Sequence, residues 1–184
     1  MFKELIERVA AGLDLDNIPY MIIGGQAVLY YGEPRFTKDI DITLGVDASA
    51  LKNITTLISR LNLTLLVQNI EDFVNKTMVL PAVDDPTGIR IDFIFSSSTY
   101  ERQAIERACK VKFDRVLVKI ASLEDIVIHK VIAGRPRDIE DIKSVLLKNP
   151  EFDKKYIAHW LKQFDQGLNQ NFSNVFEETL KELG

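Results

Sequence analysis

The stretch YMIIGGQAVLYYGEPRFTKDIDITL, residues 20–44, decides how the rest of the chain is read. The apolar run Tyr20-Met21-Ile22-Ile23 predicts a short buried strand, and Gly24-Gly25 a tight turn opening a short helix over Gln26 to Tyr31. Gly32-Glu33-Pro34 ends that helix, because Pro34 disfavours helical backbone at the residue before it. From Asp39 to Leu44 polar and apolar residues alternate with period two, the pattern of a strand with one buried face. Residues two apart on a strand share a face, so Asp39 and Asp41 project together while Ile40 and Ile42 enter the core.

Upstream, Phe2, Leu5, Ile6, Val9 and Leu13 fall on one helical face. Downstream, Asp47 is placed to cap a helix reaching about Leu61. Residues 63–67 and 77–83 read as strands. Asp84-Asp85-Pro86-Thr87-Gly88 is turn chemistry, and Ile89 to Phe95 is the return strand. Ser98 with Glu101 fits a capping box opening a helix to about Ala108, and Val116 to Ile120 is the last expected strand. Helices then follow: from Ser122 to Gly134, from Pro136 to about Lys148, and over 153–164 and 172–182. Mixed strands and helices first, helices alone last, make an α+β protein: a mixed sheet flanked by helices, with a helical C-terminal part. The expected division is 1–121 for the α/β core and 122–184 for the helical region packed on it.

The 184 residues suffice for one well-filled core, and 46% apolar with 27% charged residues is ordinary for a globular protein. No run approaches the roughly 20 apolar residues of a membrane helix, and acids early in the N-terminus do not suit a signal peptide. A net charge of −4 weighs against a protein held to nucleic acid chiefly by phosphate contacts. Cys109 is the single cysteine, so no intramolecular disulfide forms, and a reducing cytoplasm is the expected compartment. His129 and His159 lack the spacing of a zinc site. Phe152, Tyr156, Trp160 and Phe164 recur at helical spacing, as core or partner-facing residues do.

The chemistry resides in the acids. Asp39 and Asp41 on one face repel each other unless a cation lies between them. Mg²⁺ is the natural choice, since it takes oxygen ligands and is commonly held by one or two carboxylates plus substrate phosphates. Gly24-Gly25 lets backbone approach a phosphate at a helix N-terminus. Asp92, which shares a strand face with Arg90, completes a three-carboxylate cluster if its strand lies beside that of Asp39. Each piece has a plainer reading: a solvated acidic strand face, a tight turn without a ligand, and an Asp92 that merely pairs with Arg90 or another cation.

Taken together, Ile23-Gly24-Gly25, a spacer of thirteen residues, Asp39-Ile40-Asp41-Ile42 and the later Ile89-Arg90-Ile91-Asp92-Phe93 resemble the signature of the nucleotidyltransferase superfamily that includes DNA polymerase β. The likeness is clearest over residues 20–95. It extends more loosely through Ser122-Leu123-Glu124-Asp125, Lys130 and Arg137-Asp138-Ile139-Glu140-Asp141-Ile142, which are similar to the helical part of small bacterial members, including the AbiEii-type toxin group and antibiotic-modifying relatives. One position departs: many active members carry Ser after the first Gly, where this chain has Gly25.

The resemblance implies an Mg²⁺-dependent enzyme that moves a nucleoside monophosphate from an NTP such as ATP to a hydroxyl. Asp39, Asp41 and Asp92 would be both metal ligands and catalytic residues. Gly24 and Gly25 would cradle the triphosphate, with Arg35 in the bordering loop and Lys130 on a later helix as further phosphate contacts. Asp138 has a plainer role at a helix N-terminus. The acceptor stays open among a small molecule, a tRNA end and a protein, as does association with an antitoxin or with a second copy. The alternative is a catalytically weak member that only binds nucleotide, or serves as one half of a toxin–antitoxin pair. An unrelated α+β binding protein requires Asp92 to point away from Asp39 and Asp41.

Overall fold

The computed structural model describes residues 1–34, 36–96, 98–114 and 116–183. In chain order these form α1 (Phe2–Leu15), β1 (Tyr20–Ile23), α2 (Gly24–Tyr31), β2 (Asp39–Leu44) and a 3-10 turn (Ala48–Ala50) running into α3 (Leu51–Arg60). Then come β3 (Thr64–Leu65), α4 (Ile70–Thr77), β4 (Val79–Asp84), β5 (Ile89–Phe95), α5 (Thr99–Arg107), β6 (Cys109–Phe113) and β7 (Val116–Ile120). Four helices close the chain: α6 (Leu123–Ala133), α7 (Pro136–Lys148), α8 (Lys154–Leu168) and α9 (Phe172–Leu183). The α+β class expected from the sequence is the one observed.

Two compact units emerge: residues 1–26 with 36–121, and residues 27–35 with 122–184. In the first, the strands form one mixed sheet in the order β3-β4-β5-β2-β1-β7-β6. Strand β2 sits near its middle, antiparallel to β1 and parallel to β5. Ile40, Ile42 and Leu44 of β2 and Ile89, Ile91, Phe93 and Phe95 of β5 are all buried. Fully burying a side chain such as Phe93 stabilises by about 1.5–3 kcal/mol. Helix α1 contributes Leu5, Ile6, Val9 and Leu13, and α3 contributes Ile54, Leu57 and Ile58. The two helices meet closely at Gly12, where a Cβ would stand 2.9 Å from Leu57 Cδ1. Arg8 of α1 closes the open end of β4 through an ion pair to the buried Asp84, whose Oδ2 also accepts from Thr87 at 2.5 Å.

In the second unit, α6 packs against α7, α8 and α9. Ser122 caps α6 by accepting from the Asp125 backbone N–H. Asp125 is buried beneath it and accepts from Tyr156 Oη of α8 at 2.9 Å. Gly134 ends α6 in left-handed backbone, the usual helix stop.

Several expectations need correction. β3 covers only 64–65 rather than 63–67, and Asp47 caps the 3-10 turn rather than α3 itself. Helix α4 and strand β6 had no counterpart in the sequence reading. Within the eight residues of α4 only Val74 is fully buried. β6 is an edge strand whose Lys110 and Lys112 are exposed, the kind of charge that blunts sheet edges and hides a strand from hydrophobic patterning.

Candidate active site

The site is built from three neighbouring strands. β2 pairs with β5 in a register that sets Asp41 opposite Asp92 and Asp39 opposite Arg90. On its other side β1 sets Ile23 opposite Asp41. Directly paired residues share a sheet face, so Asp39, Asp41, Asp92 and Arg90 stand together on the face opposite the apolar core. The burial pattern agrees: the three aspartates are half-buried between fully buried Ile40, Ile42, Ile91 and Phe93, while Arg90 is exposed.

The strand β1 delivers its chain directly from Ile23 into α2, so Gly24 arrives beside Asp41. Gly24 adopts φ +62°, left-handed backbone that favours glycine. A Cβ there would stand 2.9 Å from Asp41 Cγ and closer still to Oδ2. The glycine therefore serves two ends at once, turning the chain into a helix and leaving room for the carboxylate. This link between the two halves of the motif lies in the register and is not legible from either half alone.

Each carboxylate also has local partners. Thr37, nearly buried in the approach to β2, lies 3.3 Å from both the carbonyl oxygen and Oδ1 of Asp39, and its hydroxyl donates there. Asp92 Oδ1 accepts from Arg90 Nε at 2.8 Å. The plainer reading of Asp92, a pair with Arg90, and the clustered one, a place beside Asp41, are thus both present. Among the described residues, no group of three or more His, Cys, Asp or Glu side chains is arranged to hold a metal ion as the side chains stand. The donor chemistry nevertheless suits a hard divalent cation: three half-buried carboxylates on one face, with a glycine cradle beside Asp41 that a Cβ would fill.

Gly25, Arg35 and Lys130 are the other residues expected at the site. Arg35 lies outside the described residues. Gly25 is the second residue of α2 and is buried. Lys130 belongs to the second unit, where it is buried and already occupied. Its Nζ donates to Asp138 Oδ1 at 2.6 Å and lies 2.8 Å from Asp141 Oδ2. Arg135 Nε adds a bond to Asp138 Oδ2 at 2.7 Å.

Burial works to raise the Asp138 pKa, but the bonds from Arg135 and Lys130 outweigh it and hold the carboxyl below its ordinary 3.8. A depressed carboxylate stabilises the fold above its unfolded pKa, and that contribution is lost as pH falls through the folded pKa. Urea midpoints of the wild type and Asp138→Asn followed down from neutral pH are therefore expected to converge below about pH 4. A gap that stays constant through that range would mean the carboxylate's charge contributes nothing there.

Residues 1–164 match the family described as a nucleotidyltransferase of unknown function (DUF6036). A search of curated proteins gives no significant match. Among solved structures, an antigenic nucleotidyltransferase-like protein from Paracoccidioides brasiliensis aligns with 97% of this chain and 91% of its own, at 20% identity and a TM-score of 0.57. The antibiotic-resistance factor ANT(2'')-Ia, in solution, aligns with 98% of this chain and 94% of its own, at 16% identity and a TM-score of 0.56. Its crystal structure in complex with adenylyl-2''-tobramycin aligns with 79% and 87%, at 18% identity and a TM-score of 0.55. At these identities the likeness to solved structures establishes the fold.

Proposed function

The chain belongs to the nucleotidyltransferase family DUF6036, and from that premise we propose that it transfers a nucleoside monophosphate from an NTP to a hydroxyl acceptor at the Asp39, Asp41, Asp92 face. The observation that carries this reading is the register of β2 with β5, which sets Asp92 directly opposite Asp41 on the polar face. Two Mg²⁺ ions held by Asp39, Asp41 and Asp92 would supply charge stabilisation for the entering and leaving oxygens of an in-line displacement. Gly24 and Gly25, at the N-terminal end of α2, offer backbone N–H groups to the triphosphate. Asp92, set opposite Asp41 on β5, would help hold a metal that lowers the pKa of the acceptor hydroxyl and so favours loss of its proton. The acceptor oxygen attacks the α-phosphorus, the bond to the bridging oxygen breaks, and pyrophosphate leaves. Thr37 fixes the Asp39 carboxylate so that it need not be ordered during the reaction.

The acceptor is open. ANT(2'')-Ia, seen with adenylyl-2''-tobramycin, makes a small polyhydroxylated molecule one class to try, with tRNA ends and protein hydroxyls as the others. Incubation with each labelled NTP and Mg²⁺ in cell extract tests the reading directly: label should pass to an acceptor with release of pyrophosphate. Nucleotide binding without transfer, alone or as half of a toxin–antitoxin pair, is favoured by one observation, the bond that engages Asp92 with Arg90. Retained binding with no labelled acceptor would select it.

Both readings share an expected thermal result. A ligand bound only by the native state stabilises by about 2.7 kcal/mol at a hundredfold excess over Kd. NTP with Mg²⁺ should raise the melting temperature, and NTP with chelator should raise it far less. A shift that ignores the metal would count against the carboxylate face.

A further inference from the structure

We infer, resting on the reading above, that Arg90 is a built-in counter-ion for the acidic face: it holds Asp92 while no cation is bound and releases it when one arrives. Four observations converge on this role. The register places Arg90 opposite Asp39 and two residues before Asp92, on the face that the three acids share. It bonds to Asp92 side-on, through the single Nε–H to Oδ1 at 2.8 Å, rather than through the two-pronged end of the guanidinium that makes the stronger carboxylate pair. The two side chains differ in exposure, 51% for Arg90 and 16% for Asp92. Arg90 can therefore swing into solvent without stranding a buried charge, whereas Asp92 stays on the face and needs a cation in every state. Finally, three acids share the face, yet no three are arranged to hold a metal among the described residues.

Asp92 accepts from Arg90, so a cation that binds Asp92 competes with the guanidinium for the same carboxylate. The hydrogen bond to Asp92 raises the guanidinium pKa above its ordinary value, burial opposes this, and Asp92, Asp39 and Asp41 add to the rise through charge. Arg90 thus feels the whole cluster. In the metal-free protein it relieves repulsion among like charges, and with metal present it competes for one ligand. Arg90 is accordingly a positioning residue that acts through Asp92.

The test uses full-length protein and Mn²⁺, which reports its own free concentration by electron paramagnetic resonance, together with melting temperatures taken without metal. Wild type, Arg90→Ala, Arg90→Gln, Arg90→Lys and Asp41→Asn are compared. The expected result is that Arg90→Ala and Arg90→Gln melt lower than wild type without metal and bind Mn²⁺ on the order of tenfold more tightly, as loss of one nearby positive charge requires. Arg90→Lys, which keeps the charge, should lie near wild type in both measurements. Should Arg90→Ala fail to fold, Arg90→Gln, neutral and closer in size, carries the comparison. Unchanged or weaker Mn²⁺ binding in the neutral variants, with binding still abolished by Asp41→Asn, would overturn the counter-ion role and leave the site standing. Mn²⁺ binding that Asp41→Asn does not alter, or no binding by wild type, would overturn the site and this role with it.

Discussion

Asp41→Asn is expected to abolish nucleotidyl transfer, by a factor of about 10³ or more, while the protein stays folded. The substitution preserves size and shape and removes one charge from the centre of the site: Asp41 lies between Ile23 of β1 and Asp92 of β5 in the sheet. A single preorganised electrostatic contact to a transition state is commonly worth 10²–10³ in rate, and a metal ligand that also organises its neighbours is worth at least that. Metal-dependent nucleotide stabilisation should disappear with it. Asp92→Asn should also cut transfer severely yet spare more of the nucleotide binding, because Asp39 and Asp41 remain side by side on β2. Neither change should lower the melting temperature of the metal-free protein by much, since each removes one member of a like-charged group. Asp92→Asn differs here too, for it deprives Arg90 of its partner. Pyrophosphate release, Mg²⁺-NTP affinity and melting temperature measured on the three proteins together decide the matter. Parent-like release from both variants would remove the carboxylates from the chemistry.

How much of this was legible in the sequence follows from which interactions are local. Period-two alternation in residues 39–44 and 89–95 fixed which side chains share a face, because that depends only on the pleat of one strand. Whether the two strands are neighbours depends on a crossover through α3, β3, α4 and β4, and no periodicity within either strand reports it. The clash between a Cβ at residue 24 and Asp41 is of the same kind: it arises from two segments brought level by register. Thr37 was visible as a loop residue next to the acids, but its bond to Asp39 requires the loop's course. Lys130 shows the opposite limit. Its position matched a helical pattern, while its partners Asp138 and Asp141 lie on the following helix, where the sequence showed helix-capping chemistry first.

Gly24→Ala should be the most damaging change outside the carboxylates, and its two causes can be separated. The first is conformational: a non-glycine residue held in left-handed backbone costs on the order of 1–3 kcal/mol. The second is steric, because the new Cβ would enter the space of the Asp41 carboxylate. Gly88, in the turn between β4 and β5, isolates the first cause. It has φ +66°, and a Cβ there would meet nothing within 4 Å. Gly88→Ala should therefore show the backbone cost alone and keep metal-dependent nucleotide binding. Gly24→Ala should be less stable than Gly88→Ala and lose that binding, since relief of the clash displaces Asp41 from its partners on the face. Shortening Asp41 separates the causes again. In the double variant Gly24→Ala with Asp41→Ala the carboxylate is gone, so stability should recover relative to Gly24→Ala alone, down to the backbone cost. Contacting residues usually couple by 0.5–3 kcal/mol in such cycles. A cycle that sums to zero would mean that Gly24 and Asp41 act independently. The glycine would then serve only the turn, and the close fit between Gly24 and Asp41 would have no energetic consequence.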